Sequence, residues 1–241
     1  MPRIYLSKIE REDALELKEW GNFSDPRLIG YNYGNLTDFE LRLWYGNINM
    51  PNKKYFAVRR KEDDRFIGFI GLKNINPILK RAKLGIVFDA NYVSLGYGYE
   101  AIREIFVKFF DEMRYRTLYL DVNLFNERAI KAYEKAGFKM TSYTREVFEN
   151  QAIDLDERYF EMSKGLIYSK IMNMKISKED YYELWDARTI FVMILKSSIF
   201  KFLSIILAIL VSAEKPAPSL TILLTTIISK FFEFNFSLAY S

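Results

Sequence analysis

Gly96-Tyr97-Gly98 is the part of this sequence best arranged for chemistry. It follows an apolar run, Leu84–Phe88, and a short turn at Asp89–Asn91. It precedes a segment with apolar residues at Ile102, Ile105, Phe106, Phe109 and Met113, a spacing that predicts an amphipathic helix. The first N–H groups of a helix have no internal partner and sit at the positive end of its dipole. Glycines let a backbone come close to a ligand. A strand, a Gly-x-Gly loop and a helix in this order suit a phosphate or pyrophosphate, or make only a tight strand-to-helix turn. The Walker pattern is excluded, because Tyr99-Glu100 stands where Lys-Ser/Thr is required. The dinucleotide fingerprint tolerates Ala101 in place of its third glycine. It belongs near the start of a parallel sheet, however, and here several strand-like runs come first.

The chemistry open to the rest of the chain is narrow. Among 241 residues there is no histidine and no cysteine, so Cys nucleophiles, Ser-His-Asp triads and ordinary zinc sites are excluded. Proton transfer falls to Asp, Glu, Lys, Tyr, the backbone or water. The lack of disulfides is compatible with the cytosol. The first residues, MPRIYLSKIERED, lack the apolar region of a signal peptide. Half of the residues are hydrophobic and 17% aromatic, enough for a sizeable core. The net charge of +4 is mild and its cations are interleaved with acids, which argues against a nucleic-acid partner.

The elements that must position the loop are legible in order. Arg3–Ile9 reads as a strand and Glu10–Trp20 as a short helix. Residues 22–36 form a loop punctuated by Asp25-Pro26, Gly30 and Gly34 and carrying Tyr31 and Tyr33. Thr37-Asp38-Phe39-Glu40 is a capping box that opens a helix to about Gly46. Tyr55–Arg59 and Arg65–Leu72 read as a hairpin, and Lys83–Phe88 as the strand before the glycine loop. In Thr117–Val122, Leu118, Leu120 and Val122 share one face, with Tyr119, Asp121 and Asn123 on the other. Asn126 is an N-cap for a helix over Glu127–Ala136, which Gly137 stops. Lys139–Phe148 and Leu166–Ile176 read as the last two strands, and Ser177–Arg188 as a short helix. From Thr189 the composition changes. Ile190–Ala213 is apolar apart from Lys196, Lys201 and several serines, and Leu220–Tyr240 apart from Lys230, Glu233 and Asn235.

The order of elements resembles the GNAT-type N-acetyltransferase superfamily, and within it the RimJ/RimL-like branch. The resemblance rests on GYGYEA, on LYLDVNLFN and above all on NERAIKAYEKAGFK, which is close to the signature N-x-x-A-I-x-x-Y-E-K-x-G-F. It covers residues 1–188 and leaves 189–241 as an apolar C-terminal extension. It implies an α/β (α+β) fold. The sheet would be mixed but mostly antiparallel, with six to seven strands, a splay between strands 4 and 5, and about four flanking helices. It also implies acetyl-CoA as co-substrate, with no metal. The family loop, Arg/Gln-x-x-Gly-x-Gly/Ala, reads here Val93 to Gly98, so Val93 replaces the usual polar residue.

By this resemblance the backbone of Ser94, Leu95, Gly96, Tyr97, Gly98 and Tyr99 wraps the CoA pyrophosphate. Pantetheine pairs with backbone near Ile86 and Phe88, where an N–H also polarises the thioester carbonyl. Asn126 hydrogen-bonds the pantetheine, with Ala129 and Ile130 one turn on. Tyr133 places its hydroxyl near the sulfur to assist the leaving thiolate, the alternative being a packed core tyrosine. Asp121 matches a carboxylate that serves as base in some relatives, through a water if needed. The alternative is a solvated carboxylate or one paired with a lysine. Asp25, Asp38 and Glu40 are weaker candidates at the acceptor entrance, and Tyr31 and Tyr33 are candidates for choosing the acceptor.

The implied activity is transfer of an acetyl group to a primary amine on a protein N-terminus, a polyamine, an amino sugar or an antibiotic. A rival is a CoA-binding sensor or scaffold with little turnover. A cytoplasmic monomer or homodimer is expected. For 190–240 three readings stand: a membrane or interfacial anchor, helices packing on the domain or a partner, and an extension without an evolved role. Both apolar runs are broken by charges, so a spanning hairpin is marginal.

Overall fold

Alternation of apolar and polar residues builds a sheet whose two faces are covered by different helices. The computed structural model describes residues 2–184; the apolar extension, with its three readings, lies outside them. The strands are β1 (Ile4–Lys8), β2 (Lys54–Arg60), β3 (Phe66–Asn76), β4 (Arg81–Phe88), β5 (Thr117–Asn123), β6 (Lys139–Val147), β7 (Phe160–Ser163) and β8 (Leu166–Ser177). The helices are α1 (Asp13–Glu16), α2 (Asp38–Ile48), α3 (Tyr97–Phe106), α4 (Glu127–Lys135) and α5 (178–184, the last described residue). None of the described helices is long and apolar enough to cross a membrane.

The sheet order is β1-β2-β3-β4-β5-β8-β6, with β7 on β8. Only β4 and β5 pair in parallel; the other pairs are antiparallel. The count of eight strands corrects the expected six to seven. The addition is β7, whose four residues pair from Phe160 opposite Ser169 to Ser163 opposite Leu166. Phe160 is buried and stacks on Phe125, which explains a strand too short to show alternation.

The local signals act as expected. Thr37 Oγ1 accepts from the Glu40 N–H, and the Glu40 carboxylate accepts from the Thr37 N–H. Asn126 Oδ1 accepts from the Ala129 N–H at 3.3 Å, and Gly137 ends α4 at φ +100°. Helix α3 continues as a π-helical turn, Val107–Glu112. The wide turn lets the adjacent Phe109 and Phe110 both enter the core, which leaves Met113 only half-buried. Leu118, Leu120 and Val122 of β5 are buried. On the other face, Trp20, Leu41 and Phe69 anchor the cluster under α1 and α2.

Candidate active site

β4 and β5 pair only at Arg81–Thr117, Ala82–Leu118 and Lys83–Tyr119. From Leu84 onward β4 stays paired with β3 but has no strand partner on its β5 side among the described residues. The strands diverge there, and the gap continues into a cavity of about 700 Å³. Its walls are β4 from Leu84 to Phe88, the glycine loop, one face of α4, and Phe23, Leu28, Tyr31 and Tyr33 from the loop before α2.

The glycine loop is held from outside. Gly96 is the N-cap of α3 at φ +87°, a left-handed conformation that other residues adopt only with strain. The Arg3 guanidinium donates to the Leu95 carbonyl at 2.8 Å, pairs with Glu100 and lies 4.5 Å over the Tyr97 ring. At the end of β4, the buried Asp89 accepts from Gly21 and Asn91 N–H through one oxygen, tying the strand end to the tyrosine loop. Ser94, Gly96, Gly98 and Tyr99 line the cavity, as do Ile86, Phe88, Asn126 and Ala129. Leu95, Tyr97 and Ile130 do not line it. The Asn123 side-chain oxygen is buried against the same space with no partner among the described residues, an atom that calls for a donor.

Tyr133 lies on the cavity-facing side of α4 and is buried at 8% exposure, its ring packed edge-on to Phe138. Its hydroxyl has no hydrogen-bond partner among the described residues. Burial pushes the phenol well above its ordinary range and the Tyr31 hydroxyl adds to this, while Arg128 opposes it. Tyr133 therefore stays a neutral donor facing the gap.

Asp121 also faces the cavity, ion-paired through one oxygen with Lys83, while the other oxygen accepts from Asn173 at 3.0 Å. Of the weaker acidic candidates, Asp25 pairs with Arg27, Asp38 with Lys18, and Glu40 belongs to its capping box. None of the three lines the cavity.

Tyr31 and Tyr33 do line it. Tyr33 meets Phe69 edge-on at 5.4 Å, and burial pushes its phenol up to about 12. Burial raises Tyr31 too, with Glu149 adding to the effect. Two features went unread in the sequence. Lys73, the register partner of Lys83, reaches the same wall, and burial together with Lys83 lowers its ammonium pKa. Tyr55 lays its hydroxyl against Gly85, where an added Cβ would come within 2.7 Å of it. A glycine inside a strand was the available signal for this close approach.

The cavity thus joins a parallel strand pair that opens, a glycine-capped helix and a buried tyrosine in the gap. A model of the acetyltransferase (GNAT) domain matches residues 3–139, more than half of the chain, and the chain belongs to that family. As such it moves an acetyl group from acetyl-CoA to an amine. Solved structures share the fold. A chimera of the spermidine N-acetyltransferase SpeG from Vibrio cholerae and hSSAT is 20% identical with a TM-score of 0.56. The match covers 75% of this chain and 98% of that one. The V. cholerae spermidine/spermine N-acetyltransferase SpeG in complex with manganese ions is also 20% identical, with a TM-score of 0.54 and coverage of 75% and 96%. A comparison with curated protein sequences found no match.

Proposed function

We propose that the acceptor amine attacks the thioester of acetyl-CoA directly, and that the chain is a RimJ/RimL-like member of its family. The observation that carries this is the Tyr133 hydroxyl, unpartnered and neutral, in the gap where β4 leaves β5. In this reading backbone donors from Ser94 to Tyr99 hold the pyrophosphate. Leu95 and Tyr97 contribute only main chain, in keeping with their absence from the lining. The free edge of β4 at Ile86 and Phe88 receives the pantetheine, and an N–H there stabilises the oxyanion. Asn126 and Ala129 flank the arm, and Ile130 supports it from behind. The loop glycines and the orphaned Asn123 oxygen fit such a ligand.

As the amine nitrogen bonds to the carbonyl carbon, the carbon–sulfur bond breaks, Tyr133 gives its hydrogen bond or proton to the thiolate, and the proton released by the nitrogen as the amide forms passes through water to restore the thiol and the Tyr133 hydroxyl. The ammonium of the acceptor must first lose a proton. Asp121 takes it through a water, because both of its oxygens already hold donors. Residues 1–188 form the transferase domain.

Tyr31 and Tyr33, with Tyr55 and Phe69, make an aromatic wall for the acceptor. The similar solved structures are named for spermidine, which brings a polyamine into consideration. The cavity is lined by five basic residues, Lys73, Lys83, Arg128, Lys131 and Lys135, against two carboxylates, Asp121 and Glu146, an excess of positive charge that favours a monoamine over a polycation. Thiol release from acetyl-CoA, measured with spermidine, an amino sugar and a peptide N-terminus, tests this. The reading expects release with a monoamine above release with spermidine. Acetyl-CoA binding with no amine-dependent release would replace it with the sensor reading.

A further inference from the structure

The end of the sheet away from the cleft carries a second surface that acetyl transfer does not use. The turn between β3 and β4, Pro77–Lys80, presents Ile78 at 90% exposure and Leu79 at 54%. Neither is a turn-forming residue. The turn is ordered: the Asn76 side chain accepts from the Leu79 N–H at 2.8 Å. Backbone bonds tie this turn to two other segments. Arg116 N–H donates to the Lys80 carbonyl at 2.7 Å, and Lys178 N–H to the Arg116 carbonyl at 2.8 Å. The side chains of Lys80, Arg114, Arg116 and Lys178 consequently line one open cavity of about 630 Å³, with Glu179 as its one carboxylate. None of the four cations has an ion pair among the described residues.

We propose that this face docks on an anionic membrane surface, with Ile78 and Leu79 entering the interface and the four cations meeting lipid phosphates or carboxylates. Two exposed apolar side chains next in sequence to Lys80, whose cavity holds four cations without ion pairs among the described residues, match both components of peripheral binding, insertion and charge. A nucleic acid would use the cations but not Ile78 and Leu79. The course of the chain adds a third observation. Lys178 begins α5, the last described element, and the sequence continues into the apolar runs Ile190–Ala213 and Leu220–Tyr240. The cleft lies along β4 and β5 beyond Lys83, toward the other end of the strands, so docking leaves its mouth open.

Flotation of the full chain with vesicles of phosphatidylcholine, with and without phosphatidylserine, tests the proposal. The chain is expected to float with the anionic vesicles at least about tenfold more strongly than with the neutral ones, the difference shrinking as salt is added. Lys80→Glu with Arg116→Glu should lose at least about tenfold on anionic vesicles. Ile78→Asp with Leu79→Asp should weaken binding to both. Thermal melts and acetyl-CoA binding should stay unchanged in both variants, and Ile78→Asp alone serves as the mildest form. Wild-type flotation by both double variants would overturn the proposal, leaving binding to the apolar extension alone. Failure of the full chain to float would also overturn it. So would a loss in the charge variant that appears on RNA but not on vesicles, or a loss of self-association instead.

Discussion

The ammonium of Lys83 is ion-paired with the carboxylate of Asp121 just past the point where β4 and β5 part. Lys83 is the last β4 residue paired with β5, opposite Tyr119, and Asp121 lies on the same face two residues further along. The pair closes the narrow end of the gap and fixes the one carboxylate that β5 offers to the cavity. Asp121→Asn separates its two roles. Acting as base through water, Asp121 contributes about 10²–10⁴ to turnover. If it acts only as counter-charge to Lys83, its loss costs the variant less than about tenfold. We expect the first outcome, read from kcat with acetyl-CoA saturating.

Tyr133→Phe should lower kcat by about 10²-fold or more while the KM for acetyl-CoA changes little, since the hydroxyl is needed as charge develops on sulfur. It should not lower Tm. The hydroxyl has no hydrogen-bond partner among the described residues, so its removal breaks no bond and leaves the ring packed on Phe138. Unchanged turnover would make Tyr133 a packing residue. A loss of turnover that came with a lower Tm would point to a structural cause.

The two loop glycines should respond differently. At Gly96, φ is +87° and an added Cβ would sit 3.1 Å from the Arg3 guanidinium. Gly96→Ala should therefore cost stability by about 1 kcal/mol as well as acetyl-CoA affinity. Gly98 has no such backbone demand, and its added Cβ meets only Phe88 at an ordinary 3.7 Å. Gly98→Val should lose acetyl-CoA affinity with Tm nearly unchanged. Calorimetric titration and thermal melts of both variants check this. Full affinity in both would remove the pyrophosphate assignment.

What the sequence made legible was local. The Thr37–Glu40 box, the Asn126 cap and the Gly137 stop each need only a few neighbouring residues, and each forms as expected. The alternation in β5 likewise told which of its residues face the core. What stayed hidden depends on partners far along the chain. Lys83 as the partner of Asp121, Lys73 beside it, and Tyr55 over Gly85 follow from strand register. β7 is too short to carry a period and exists because Phe160 has a place beside Phe125 and Phe148. The π-helical turn after α3 likewise shifts burial from Met113 to Phe110, which a strict helical spacing does not foresee.

Asp180 gives a pH-dependent contribution with a definite sign. Burial pushes its carboxyl up, but the Lys139 ammonium and the hydrogen bonds from the Ser177 hydroxyl and N–H outweigh this and bring it down to about 2. The unfolded carboxyl titrates near its ordinary 3.8. The contribution is therefore complete above that value and is lost as pH falls from there toward 2. Partial exposure screens it to about 1 kcal/mol. The Tm difference between the wild type and Asp180→Asn should be constant near neutrality and shrink below about pH 4. A difference that held at the lowest pH would show that the carboxyl charge is not what stabilises the folded state.

Where the folded domain ends can be argued from α5. The helix is capped by Ser177, whose hydroxyl accepts from the Asp180 N–H at 3.0 Å. Tyr181 is buried at 4% exposure and stacks on Phe110 with ring centroids 4.8 Å apart. Its hydroxyl and that of Tyr182 donate to the two oxygens of Asp111, at 2.9 and 2.8 Å. These contacts bind α5 to the π-helical turn and make it part of the core, whatever follows. A chain ending at Arg188 keeps all of them. It should melt within a few degrees of the full chain and bind acetyl-CoA with the same affinity. A chain ending at Ser177 loses the Tyr181 ring and both bonds to Asp111. Removal of a large buried aromatic costs about 3–5 kcal/mol, a large share of a domain's net stability. That shorter chain should melt far lower or fail to fold. Melting of the Arg188-terminated chain as low as the shorter one would mean that residues beyond 188 belong to the core and that the proposed domain boundary is wrong.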